Sequence, residues 1–194
     1  ALTSSLASVF NSCSALFTMD VYRKLQCMHC NEPCCATVCP CHAFEKTPEG
    51  PVLYDPDVCM GCRYCITACP FDVPQFDYAS PFPEIHKCQL CDHLWAEGGF
   101  SACADACPTG ATLFGPVDQL EEEVARRQAL PPGTLTAFPR RSTETGESTR
   151  VRPVASYVDH VYGEREGGGT QVLMMSGVAF DKLGLPELPE HSYA

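Results

Sequence analysis

Twelve of the fifteen cysteines in this chain fall into three registers, and each register ends in Cys-Pro. The first runs Cys27-x2-Cys30-x4-Cys35-x3-Cys39-Pro40 and the second Cys59-x2-Cys62-x2-Cys65-x3-Cys69-Pro70. The third is Cys88-x2-Cys91-x11-Cys103-x3-Cys107-Pro108. Thiolates at such spacings bind iron. In a run like the second, three cysteines hold one cubane [4Fe-4S] cluster and the fourth reaches across to another. The chemistry implied is the carriage of single electrons.

A cubane needs four thiolates at the corners of a tetrahedron. Cys-x2-Cys-x2-Cys wraps a tight loop around one cluster and supplies three corners. The fourth cysteine follows a helical turn, so it points away and closes a second cluster. The proline after it ends the helix and brings no N–H to satisfy. Two registers therefore exchange their fourth ligands, and their clusters lie close enough for a relay. Paired in this way, one cluster takes Cys27, Cys30 and Cys35 with Cys69, and the other takes Cys59, Cys62 and Cys65 with Cys39.

The third register breaks the scheme. Cys88, Cys91 and Cys103 form a three-thiolate set with no fourth donor under the exchange rule, and Cys107 has no cluster to close. Cys107 could close its own cluster, Cys13 or Cys41 could substitute, or the site could hold a three-iron [3Fe-4S] cluster. Sharing with a segment outside this sequence is the remaining reading, and the one we favour. Cys13, Cys34 and Cys41 otherwise read as small buried residues.

Three zones position these residues. Residues 1–26 are a lead-in with the isolated Cys13, residues 27–117 a ferredoxin-like cluster-binding unit, and residues 118–194 a cysteine-free extension for packing or partner docking. Each Cys-Pro precedes a short segment expected to be extended: His42 to Phe44, Phe71 to Val73 and Thr109 to Phe114. Thr47-Pro48-Glu49-Gly50 reads as a turn, with Pro51 to Tyr54 as the returning strand. Cys62 to Cys69 reads as one or two helical turns. The expected fold class is α+β: a loop-rich, bacterial ferredoxin-like [4Fe-4S] repeat with a C-terminal extension. In that extension Asp118 and Glu121 form a capping-box pattern, and Leu120, Val124 and Ala125 give an apolar stripe. Pro131-Pro132-Gly133 ends that helix. Arg140 to Arg152 reads as a polar surface loop. The segment through Gly167-Gly168-Gly169 and Val172 to Met175 is expected to pack on the body or on a partner.

Composition narrows the classes. With 194 residues, seventeen prolines and fourteen glycines, much of the stability is expected to come from cofactors. A formal net charge of −11 argues against nucleic acid and suits solubility or docking to a basic patch. Disulfides fit poorly, because Cys34 and Cys35 are vicinal. Zinc pairs two Cys-x2-Cys knuckles across a spacer, whereas the second register packs four thiols into eleven residues. No stretch approaches the length of a membrane span. The first residue is Ala, which fits a processed or incomplete N-terminus, and no basic n-region marks a signal peptide.

The stretches Cys27-Met28-His29-Cys30, Asp57-Val58-Cys59-Met60-Gly61-Cys62-Arg63-Tyr64-Cys65 and Cys107-Pro108-Thr109-Gly110-Ala111, then Phe114-Gly115, resemble the four-cluster ferredoxin-like electron-transfer subunits of bacterial respiratory oxidoreductases. Tyr162-Gly163-Glu164, Gly167 to Leu173 and Leu183-Gly184-Leu185-Pro186 look like the quinone-linked nickel–iron hydrogenase branch. The resemblance covers roughly residues 20–190. It implies a non-catalytic subunit passing electrons between a catalytic partner, a nickel–iron hydrogenase or molybdopterin enzyme, and an integral membrane quinone-reactive subunit or cytochrome. It also implies membrane association through a partner at the periplasmic face, the cytoplasmic face being the alternative. The family opens with a further cysteine register that exchanges with the last one. This sequence has no such register, and about three clusters are expected.

Other residues carry weaker signals. His29 and His86 flank cysteines and could tune a potential, act as unusual ligands or be structural. Arg63 and Tyr64 could hydrogen-bond near a cluster or simply pack. Trp95 is expected to shield the third site from water. The triple glycine is a turn, since no Gly-Lys-Ser/Thr follows it. An iron–sulfur enzyme acting directly on a substrate and a structural zinc scaffold are the competing readings. The first has no nucleophile–base pair or dinucleotide fingerprint to support it.

Overall fold

A computed structural model describes residues 26–81, 84–107, 109–143 and 149–194; Cys13 lies outside the described residues. Short elements alternate with long irregular connections. In order they are α1 (Cys34–Thr37), β1 (Phe44–Lys46), β2 (Val52–Tyr54), α2 (Tyr64–Ala68), β3 (Gln75–Phe76), β4 (Ile85–His86), α3 (Asp92–Trp95) and α4 (Ala102–Ala106). Then come β5 (Leu113–Phe114), α5 (Val117–Ala129), β6 (Leu135–Pro139), β7 (Arg141–Ser142) and β8 (Thr149–Pro153), with two single 3-10 turns beyond.

The first two registers are carried by a helix–hairpin unit. Gly50, at φ +116°, lets the Thr47–Gly50 turn close, and its N–H donates to the Thr47 carbonyl at 3.1 Å. The turn sets β1 antiparallel to β2, with Phe44 opposite Tyr54 and their rings 5.0 Å apart. The core beneath this hairpin is Cys39, Ala43, Phe44, Val52, Tyr54, Cys65 and Ile85, so two cysteines are part of the buried apolar set. Helices α1 and α2 pack against each other. That contact brings the cysteine after each helix into the other register's neighbourhood.

Three expectations are corrected here. Phe71 to Val73 is not a strand; the extended piece is β3, two residues later, paired with β4. The cap of α5 is Pro116, not Asp118, because the helix already begins at Val117 and Pro fixes the entry without needing its N–H. The stretch from Arg140 to Arg152 is not a plain loop. It contains β7, parallel to β5, and most of β8, antiparallel to β6 from Leu135↔Pro153 to Pro139↔Thr149.

The C-terminal residues pack on the body. Met28, Tyr162 and Phe180 form a second buried cluster with Phe71, Val172 and Leu185 around it. Asn31 N–H donates to the Gly169 carbonyl at 3.0 Å, and Gln171 N–H donates to the Met28 carbonyl at 3.1 Å. Gly163 makes this approach feasible, since a Cβ there would lie 2.0 Å from the Val172 carbonyl oxygen. Among the described residues no helix is long and apolar enough to cross a membrane.

Candidate metal centres

One backbone scheme recurs at all three registers. In each Cys-x2-Cys the second residue after the first cysteine is left-handed: His29 (φ 51°), Gly61 (φ 73°) and Leu90 (φ 58°). Its N–H turns back to the first thiol, reaching Cys27 Sγ at 3.4 Å, Cys59 Sγ at 3.4 Å and Cys88 Sγ at 3.3 Å. Successive N–H groups turned inward by a left-handed residue make an anion-binding nest. The register ends repeat a second device. Three residues past the last cysteine, His42 (φ 54°), Asp72 (φ 53°) and Gly110 (φ 68°) are left-handed. The next N–H then meets that cysteine: Ala43 to Cys39 Sγ at 3.3 Å, Val73 to Cys69, and Ala111 to Cys107 Sγ at 3.2 Å. Sulfur so surrounded by N–H donors is prepared to carry negative charge.

The structure gathers the thiols of the first two registers into two crossed groups. Cys30 and Cys35 each feel the charges of Cys27 and Cys69, placing those four sulfurs in one neighbourhood. Cys65 feels Cys59, Cys62 and Cys39, which places the other four together. Burial, with these neighbouring sulfurs adding to it, pushes Cys30 and Cys35 up to about 12 and Cys65 up to about 11. Burial also raises Cys27 and Cys69. Adjacent, partly or wholly buried thiols resist ionising together near neutral pH unless a cation joins them, so the donor set fits an iron–sulfur group better than free thiolates. Among the described residues no three His, Cys, Asp or Glu side chains converge on a single point as one ion would require. A cubane, by contrast, spreads its four thiolates over four irons.

His29 fits the same site as a donor. Val52 N–H donates to its Nδ1 at 2.9 Å, which puts the ring proton on Nε2, and that buried N–H has no partner among the described residues. Burial first, then the charges of Lys87 and Lys46, hold His29 down to about 3, so the ring is neutral. His86 is exposed on β4, opposite Gln75. Arg63 is exposed too, with its guanidinium over the rings of Phe76 (5.5 Å) and Tyr78 (5.8 Å).

The third register leans on the first. The Cys88 thiol accepts the Cys27 N–H and is raised chiefly by burial. Gln89 ties this loop to β2 through two side-chain bonds to the Tyr54 backbone, each 3.0 Å. Cys91 Sγ accepts the N–H of Ala102 at 3.4 Å, which sets it beside the helix carrying Cys103. Cys103 is exposed, and its thiol donates to Ser101 Oγ at 3.3 Å. Burial works against ionising Cys107, yet the Thr109 hydroxyl and the N–H groups of Thr112, Thr109 and Ala111 outweigh it and bring the thiol down to about 6. Trp95 and Cys103 line one large cavity, about 770 Å³, together with Phe114 and Leu120. Cys41 is placed away from this register: its Sγ lies 3.6 Å from Cys39 Sγ, within the second group. Cys34 is buried, and its charge is felt at Cys30 and Cys69.

Residues 18–117 match the family of 4Fe-4S dicluster domains. The chain belongs to that family. It is an iron–sulfur protein whose small helices and strands form the ferredoxin-like unit of these domains. Hydrogenase-2 operon protein HybA of Escherichia coli O157:H7 is 47% identical over 176 residues, which is 88% of this chain and 53% of HybA. The B component of the anaerobic dimethyl sulfoxide reductase of Escherichia coli K12 is 33% identical over 145 residues, 75% of this chain and 70% of that protein. A protein of Nitratidesulfovibrio vulgaris is 44% identical over 168 residues, covering 86% of this chain and 40% of its own length. The chain thus spans about half the length of the first relatives it matches.

The sequence did not mark Lys46 and Lys87 as part of this neighbourhood. Each is a lone lysine between apolar or polar residues, and only the folded hairpin brings both to the first thiol group.

Proposed function

We propose that this chain is a non-catalytic electron-transfer subunit. Its clusters relay single electrons between a catalytic oxidoreductase subunit and a membrane quinone-reactive or cytochrome partner. The observation that supports this reading is the crossing of the first two registers: Cys69 lies among the first register's thiols and Cys39 among the second's, at the contact of helices α1 and α2. In this reading Cys27, Cys30, Cys35 and Cys69 hold one [4Fe-4S] cluster, and Cys59, Cys62, Cys65 and Cys39 hold the next. The protein places and buries the clusters, and its N–H donors set their potentials, while the clusters supply the redox chemistry. Cys88, Cys91 and Cys103 supply three thiolates of a third site, which adjoins the first through the contact of Cys88 with Cys27. Its fourth donor is proposed to come from a segment outside this sequence, with which Cys107 would be shared in turn.

The relatives support the choice of partner class. HybA is named for a hydrogenase-2 operon and the other relative for dimethyl sulfoxide reductase, so a hydrogenase or a molybdopterin enzyme is the proposed catalytic partner. The higher identity to HybA favours the hydrogenase. Attachment to a membrane through the partner is proposed at the periplasmic face, as the resemblance to the hydrogenase branch implies, the cytoplasmic face being the alternative.

The test is iron and acid-labile sulfide analysis with redox-titrated EPR on the purified chain. Separate one-electron signals at about three clusters per chain are expected. Colourless protein carrying zinc would overturn the reading, and turnover of a small substrate by the chain alone would overturn its non-catalytic part.

A further inference from the structure

The chain has only four lysines, Lys24, Lys46, Lys87 and Lys182, against a net charge of −11. Two of them lie against the same thiol group. Lys46 Nζ donates to the His29 carbonyl at 3.2 Å, inside the Cys27–Cys30 loop, and also to the Gly50 carbonyl. Lys87 Nζ donates to the Val52 carbonyl, to the Cys88 carbonyl at 2.9 Å and to Gln89 Oε1 at 3.3 Å. Both ammonium groups are half-buried, and every acceptor they meet is a neutral oxygen. Among the described residues neither lysine has a carboxylate partner, although the chain carries 24 acidic residues. His29, between them, accepts the Val52 N–H on Nδ1 at 2.9 Å, so that nitrogen carries no proton and the ring adds no charge.

Lys87 also lies over the Phe44 ring, 6.0 Å from its centroid, and a half-buried cation held only by neutral groups needs a counter-charge. Thiols lie within reach of both: Lys87 acts on Cys27, Cys35 and Cys88, and Lys46 acts on Cys27. A cubane held by four thiolates is anionic in both redox states, and more so when reduced. A fixed positive charge beside it therefore favours the reduced form. We propose that Lys46 and Lys87 are positioning charges for the cluster of Cys27, Cys30, Cys35 and Cys69, raising its reduction potential above that of the cluster of Cys59, Cys62, Cys65 and Cys39. Lys87 also faces Cys88, so it sits at the junction of the first and third registers and biases the electron toward that junction. The inference rests on the proposed ligand sets.

The experiment is redox-titrated EPR on the cluster-loaded full chain and on Lys46→Met, Lys87→Met and Lys87→Arg. Methionine keeps the length of the side chain and removes the charge, whereas arginine keeps the charge. The first cluster is identified as the signal altered by Cys30→Ser. Each Met variant is expected to weaken reduction of that cluster at least tenfold, about 59 mV for one electron, with the second cluster moved far less. Lys87→Arg should leave the potential in place. Intact clusters with an unmoved first potential in both Met variants would overturn the proposal. If Lys87→Met does not load, loading of Lys87→Arg at the native potential supports the role of charge. If neither Lys87 variant loads, Lys46→Met decides: a lowered first potential supports the proposal and an unmoved one overturns it. A wild-type chain holding no clusters would instead refute the functional reading, before any variant is compared.

Discussion

Cys69 separates the two ways of assigning the thiols. It belongs to the second register by sequence, but its charge is felt by Cys30 and Cys35 of the first. Its place is set by α2, which delivers it past the helix end, and by the N–H groups of Val73, Phe71 and Asp72 that point at it. Replacing it removes a donor from one group while leaving the three clustered cysteines of its own register intact. Cys69→Ser is therefore expected to convert or lose the first cluster and spare the second, read as the loss of one EPR signal. Cys39→Ser should do the reverse. If each variant lost the cluster of its own register, the crossed assignment would be wrong.

At the scale of elements, α5 and β6 are held by a charged contact. Glu123 accepts from Arg126 Nε at 2.7 Å and from Arg127 Nε at 2.7 Å, and Arg127 is 7% exposed. The guanidinium groups of Arg126, Arg127 and Arg152 surround the buried Phe138 ring at 5.4, 4.9 and 5.1 Å. Burial raises the Glu123 carboxyl, but the two arginines outweigh it and hold it below the ordinary 4.5. That stabilisation is present above 4.5 and is lost as pH falls through the lower folded value. Glu123→Gln leaves Arg127 buried without its counter-charge and should cost about 3 kcal/mol in urea unfolding, with the acid-induced loss blunted. An unchanged midpoint would show that the contact does not stabilise the fold. These elements also mark what sequence could reveal. The cysteine registers were legible because their geometry is local: fixed spacings, a short helix and a proline. The α5 helix was legible from its apolar stripe, but its true cap was not, since Pro116 and Asp118 both suit a helix start. Strands β6 and β8 were hidden because Leu135 and Val151 are exposed and charged residues interrupt β8. Their register comes from pairing between distant segments. Lys46 and Lys87 were hidden for the same reason.

The whole molecule is built around sulfur. Few strands exceed three residues, and the main core counts Cys39 and Cys65 among its buried members, with Cys35, Cys41 and Cys59 packed against it. Removing iron leaves those thiols facing one another with no cation, so metal loss should lower stability as well as abolish the colour. The pH dependence should separate the two states. In the unfolded chain a thiol ionises near 9.0, whereas in the folded metal-free chain Cys30 and Cys35 stay protonated to about 12. Between those values the unfolded state holds fewer protons, so the metal-free fold weakens as pH rises, by up to about 1.4 kcal/mol per pH unit for each such thiol. Below 9.0 both states keep these protons and the slope vanishes. The loaded chain has already given up the same protons to bind iron, so its fold should show no such loss across this window. Urea midpoints of the two forms from neutral pH to above 9.0 would measure it. Parallel curves would mean that these thiols are not buried together, and the assembly of the first group would fail with them.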